Sequence, residues 1–273
     1  MAAGAEVLRA CELHEARAWE ECVAACAAVE GNPLRAKVVR VSETPVPVVA
    51  ALNYSLFNRV IALGVAAPAR DADIAAIEKV YAEHEQTSWA VCLAPGAAPA
   101  DLAARLESRG LQRGSDFAKV VRSTENTPSI ETALRIEEIG PDRRNDFVAV
   151  NVAAWGVPPV FSAWFGGTLG RPGWRHYLGY DGNDPVSAGA LYVSDNIGWL
   201  GFGATLPDHR GRGGQSAIMA RRIRDAAQLG CAYVHTETAA ETPDKPNPSY
   251  RNMIATGFDL AYLRPNYTPI EPS

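Results

Sequence analysis

Much of what this sequence lacks bears directly on what it does. No CxxC pair or zinc-type Cys/His spacing occurs, and the five cysteines (Cys11, Cys22, Cys26, Cys92, Cys231) are odd in number and scattered, so neither a disulfide framework nor a metal site is expected. Cys22 and Cys26, four apart on an expected helix, read as two small buried thiols on one face. No apolar run approaches the roughly 18 residues of a membrane span, and the Ala-rich first thirty residues are studded with Glu and Arg rather than built as a leader. A reducing, cytoplasmic setting without membrane attachment is the expectation. The formal net charge of −5 and the absence of like-charge runs exclude an electrostatic footprint for nucleic acid.

What is present is material for two cores. At 273 residues and 47% hydrophobic, the chain divides most naturally into two domains, 1–125 and 130–273, joined by the polar stretch "STENTPS" from Ser123 to Ser129. Residues 5–30 place apolar side chains at three- and four-residue spacing, which predicts an amphipathic helix stopped by "GNP". Strand-like and helix-like segments then alternate. The two halves end alike, in strand, helix, strand, a helix closed by Gly and a hydrophobic residue (Gly110-Leu111, Gly257-Phe258), and a last strand. The fold class read from this order is α/β with a mixed sheet, in two similar units of mostly antiparallel sheet flanked by helices.

The halves differ after one strand. The first half continues with "AAPARDADIAA", whereas the second continues with "LPDHRGRGGQSAIM", Leu206 to Met219. Glycines at a helix start let backbone N–H groups approach an anion, which the positive end of the helix dipole attracts. Arg210 and Arg212 add charge where phosphate oxygens would sit. A P-loop lysine is missing, and a dinucleotide fingerprint beginning at Gly211-Arg212-Gly213 would have to finish on Ser216 or Ala217 instead of glycine.

The stretch resembles the acyl-CoA signature of the GNAT acyltransferase superfamily, an Arg or Gln, two residues, Gly, one residue, then Gly or Ala. Arg210, Gly213 and Gln215 fall on those positions, with Gln215 departing from the usual small residue beside Gly214. The strand "GFGATLPDHR" is similar to the family's fourth strand, and "NPSYRNMIATGF" to its short C-terminal helix. The resemblance spans about Thr132 to Pro269. It implies acetyl-CoA or another acyl-CoA as co-substrate, no metal, and a cradle of Thr205, Leu206, Arg210, Gly211, Arg212, Gly213, Gly214, Gln215, Ser216, Asn247 and Ser249. The first half then reads as a degenerate copy without the cradle, with roles in packing and in shaping the acceptor site.

Acyl transfer to an amine needs a base, donors for an oxyanion and a proton for the departing sulfur. The N–H groups of Thr205 and Leu206 are the expected oxyanion donors. On "CAYVHTET", alternation puts Tyr233, His235 and Glu237 on one side. Glu237 is the candidate base or water-orienting residue, and a solvated strand-end carboxylate is the plainer reading. The family's usual tyrosine slot holds Met253, so Tyr250, one turn earlier, is the substitute candidate for the acid. Cys231 lies at the wrong end of its strand for a covalent route. The aromatic segment from Ala154 to Trp174, with Trp155, Phe161, Trp164, Phe165 and Trp174, walls an acceptor pocket, caps the core or joins the two halves. A small-molecule amine is the expected acceptor, with oligomeric state open. The competing readings are a non-catalytic acyl-CoA sensor or scaffold, and acyl transfer to a hydroxyl or decarboxylation at the same cofactor site.

Overall fold

The computed structural model describes residues 4–270. Its elements run α1 (Ala5–Ala27), β1 (Ala36–Val41), β2 (Thr44–Val49), β3 (Arg59–Ile61), α2 (Asp71–Glu83), β4 (Ala90–Cys92), α3 (Leu102–Ser108) and β5 (Leu111–Ser123). They continue with β6 (Arg135–Ile139), α4 (Arg144–Trp155), α5 (Ser162–Gly166), β7 (Trp174–Asp181), β8 (Asp184–Ser194), β9 (Ile197–Thr205), α6 (Gly214–Gln228), β10 (Tyr233–Ala239), α7 (Pro248–Ala255) and β11 (Asp259–Pro269). The mixed α/β class expected from the element order is the one found. Among the described residues no helix is long and apolar enough to cross a membrane.

Contacts divide the described residues into an N-terminal unit, residues 4–118 with 262–270, and a C-terminal unit, residues 119–261. A cut at the Ser123–Ser129 linker therefore misses an exchange: β11 returns the chain, from Tyr262 onward, to the N-terminal unit. Asn266 and Tyr267 pair with Cys92 and Val91 of β4, and Tyr267 joins the N-terminal core with Val60, Ile77, Tyr81 and Val91. Sequence spacing gives no hint of this, because a last strand pairs equally well wherever an edge is free. In the same unit Arg264, fully buried, meets Glu12 at 2.8 Å and Glu15 at 3.0 Å. Paired charges of this kind fix which strand sits against α1 more than they add net stability.

In the C-terminal unit the strand order is β10-β9-β8-β7-β6. β6, β7, β8 and β9 are antiparallel neighbours, and β10 joins β9 in parallel through the crossover helix α6. Apolar residues on α6 at one-turn spacing, Ile218, Met219, Ile223 and Ala226, pack with Leu191, Leu200 and Val234 of the sheet. α4 and α5 bring Phe147, Trp164 and Phe165, all buried, into an aromatic cluster with Trp174, Trp199 and Phe202. The segment expected to be an irregular loop thus contains a short helix, and its Phe161, Trp164, Phe165 and Trp174 cap the core.

Candidate functional site

Two interruptions of regular structure make the site. The first is the parting of β9 and β10. Their pairing covers Tyr233 to His235 against Ile197 to Trp199, and Thr236 Oγ1 adds a bond to Leu200 O at 2.7 Å. β9 then runs on to Thr205, and beside that stretch opens a cleft of about 820 Å³. The second is a bulge. Ala190 pairs with Gly201 but Ala188 with Ala204, so β9 spends an extra residue there. Phe202 takes φ +53°, costly for a bulky side chain. Burial offsets that cost, since its ring lies against those of Phe147, Trp164, Phe165, Trp174 and Trp199 at centroid distances of 5.9–6.4 Å.

The bulge decides which amides face the cleft. Leu206 N–H donates to Val186 O at 2.9 Å, so it is not available as an oxyanion donor, a correction to the sequence expectation. The same register makes Ser187–Thr205 a pair whose N–H groups turn away from each other, leaving the Thr205 N–H toward the side where β10 has parted. Gly203, Ala204 and Thr205 all line the cleft.

The glycines of the α6 entry have separate tasks. Gly213 caps the helix at φ +78° and Gly211 turns at φ +74°, both in the left-handed region. At Gly214 a Cβ would stand 3.0 Å from Leu134 Cδ1 and Ser187 Oγ, so its task is close approach to the sheet. No side chain caps α6, and its first turn holds no acidic residue. The N–H groups of Gly214, Gln215 and Ser216 therefore have no helical acceptor, and all three residues line the cleft.

The predicted cradle residues divide by what their side chains do. Arg210 lines the cleft and has no ion-pair partner among the described residues. Arg212 instead holds Asp181 through both guanidinium nitrogens, at 2.5 and 3.0 Å, and does not line the cleft. Gln215 Nε2 staples the sheet at Ala188 O (3.0 Å), Ala204 O and Ser187 Oγ. Asn247 lines the cleft with its amide spent: Nδ2 donates to Thr238 Oγ1 (3.0 Å) and Ala239 O (2.6 Å), and Oδ1 accepts from the N–H groups of Ser249 and Tyr250. It fixes the start of α7, from which Ser249 and Asn252 face the cleft.

Of the catalytic candidates, Tyr250 is half-buried against the C-terminal core and is not among the cleft-lining residues. Met253 is buried in that core too, with Met219 and Phe258. Glu237 is half-buried on β10, two residues beyond fully buried His235, and also lies outside the cleft lining. Burial pushes the Cys231 thiol up to about 11, which keeps it protonated at neutral pH. Burial and the nearby Arg144 hold His176 down to about 3, a neutral imidazole at 2.9 Å from Thr168 Oγ1. The cleft-lining residues missed by sequence reasoning are Gly203, Ala204, His209, Pro248 and Asn252. Of the aromatic residues expected to wall an acceptor pocket, Trp155 at the end of α4 does line the cleft and is 41% exposed.

No family model and no curated protein matches the chain by sequence. Solved structures do. A GCN5-related N-acetyltransferase from Kribbella flavida is similar over 92% of this chain and 96% of its own, at TM-score 0.63 and 16% identity. A GCN5-related N-acetyltransferase from Sphaerobacter thermophilus is similar over 74% and 68%, at TM-score 0.57 and 16% identity. A tandem GNAT protein from the clavulanic acid biosynthesis pathway is similar over 77% and 73%, at TM-score 0.54 and 14% identity. The parted strands, the bulge and the glycine entry to α6 thus sit in a chain with the fold of the GNAT acetyltransferases.

Proposed function

We propose that the C-terminal unit transfers an acyl group, acetyl in the first instance, from acyl-CoA to the amine of a small molecule. The observation that carries this reading is the uncapped start of α6: three unpaired backbone N–H groups at the positive end of a 15-residue helix, opening on the cleft between parted strands. A ligand that ends in a pyrophosphate and carries an extended amide-rich arm matches both parts, the phosphates on Gly214, Gln215 and Ser216 with Arg210 beside them, the arm along Gly203 to Thr205. The solved GCN5-related N-acetyltransferases of similar fold support the same class.

When bound there, an acyl thioester supplies an electrophilic carbonyl and a thiolate leaving group. Thr205 N–H is the donor that this chain turns toward the carbonyl oxygen. Glu237 is the proposed base for the incoming ammonium, through water. With Met253 buried in the core and Tyr250 half-buried against it, the thiolate takes its proton from water or from Ser249, the exposed hydroxyl that α7 does present to the cleft.

Thiol release from acetyl-CoA across a panel of small amines tests this. An amine that accelerates release supports the transferase, and Glu237→Gln should then lower kcat with CoA affinity unchanged. Saturable binding with no release from any amine would favour the sensor reading instead.

A further inference from the structure

Arg222 is a cation that the mechanism above does not use. It stands on α6 between Ile218 and Ala226, each one turn away on the buried face, and is 2% exposed. Its Nη1 donates to Ala190 O of β8 at 2.9 Å and to Gly201 O of β9 at 3.0 Å, with a longer Nε bond to Ile218 O at 3.4 Å. Gly189 makes the room, because a Cβ there would meet Ile218 Cγ2 at 2.7 Å and Arg222 Cζ at 3.0 Å.

Among the described residues no carboxylate pairs with it. Asp225, on the next turn, is taken by Tyr177 Oη at 2.8 Å and by Arg221 Nε at 3.0 Å. A guanidinium buried among neutral carbonyls carries a desolvation cost that an apolar side chain of similar volume would avoid. Packing alone thus gives no reason for a charge here.

Its position does. Ala190 and Gly201 are the register partners at the foot of the bulge, and the cleft begins at Gly203, about 7 Å farther along the strand. The geometry points to Arg222 as a positioning residue for acyl transfer: it clamps β8 to β9, holds the Gly203–Thr205 edge against the thioester oxygen, and lends an uncompensated positive charge to the negative charge that builds there. The inference rests on the acyltransferase reading.

The test is the infrared carbonyl band of carbonyl-labelled acetyl-CoA bound to the intact protein, which needs no acceptor. In the native chain the band should move to lower frequency than in free acetyl-CoA. Arg222→Met should lose at least half of that displacement while acetyl-CoA affinity stays within about threefold and the melting temperature does not fall. Once an amine is found, kcat should drop about 10- to 100-fold. Arg222→Lys should restore most of the band position. Should Arg222→Met not fold, Gly189→Ala displaces the guanidinium without removing it and should weaken the displacement in the same direction. An undiminished displacement in Arg222→Met overturns the proposal and leaves the acyltransferase reading intact. Parallel losses of displacement, affinity and melting temperature, with Lys no better than Met, make Arg222 merely structural. No binding of acetyl-CoA by the native chain removes both.

Discussion

Each unit contains a parallel strand pair joined by a crossover helix, and the two crossovers end in opposite ways. In the C-terminal unit β9 and β10 part after a short pairing, and α6 starts without a cap. In the N-terminal unit β3 and β4 pair along their whole length, and the chain beyond them is closed by backbone bonds, Ala98 N–H to Gly64 O and Ala69 N–H to Ala98 O, both 2.8 Å. A Cβ on Gly64 would stand 2.5 Å from Ala98 O, so no ligand arm passes there. The start of α2 is occupied as well. Asp73 accepts from Arg70 N–H at 2.9 Å and from Ser42 Oγ at 2.8 Å, and the Arg70 guanidinium holds its carboxyl well below the usual carboxylate range. One helix binds its own carboxylate where the other leaves its first amides free. The same fold element is an open or a closed joint according to the residues of its first turn.

Three substitutions break or sharpen that contrast. Gly213→Val forces a β-branched residue to φ +78°, and strain of about 1–3 kcal/mol there should weaken CoA binding roughly ten- to a hundredfold by calorimetry. Ser216→Asp gives α6 the acid that α2 has at the corresponding helical position; CoA affinity should fall about tenfold through like charge, while the melting temperature rises slightly from better dipole complementarity. Asp73→Ala removes the internal cap of α2 and should cost about 1 kcal/mol in denaturant unfolding. It should create no second CoA site, since the Gly64–Ala98 closure remains.

The sequence already announced this contrast at the level of residue type. Glycines at 211, 213 and 214 against "ARDADIAA" at the other crossover pointed to a tight, open entry to α6, and the positive φ of Gly211 and Gly213 agrees, because φ preference is a local property. What depends on partners across the sheet was not legible. Arg210 and Arg212 look equivalent in sequence, and only the position of Asp181 commits one of them. Asn247 reads as a ligand contact until its amide is found bonded to Thr238 and Ala239. Gly201 and Gly203 flank the bulge, yet it is Phe202 between them that takes the positive φ, because an aromatic cluster assembled from distant segments carries the strain. Arg222 went unread although helical spacing puts it on the face of Ile218 and Ala226, where a charge is out of place.

Calorimetric titration of the intact chain with acetyl-CoA, beside Gly213→Val, bears most directly on the central claim. The account predicts one site per chain, in the C-terminal unit, lost or severely weakened by the substitution. Absence of binding, or binding that the substitution leaves unchanged, would contradict it.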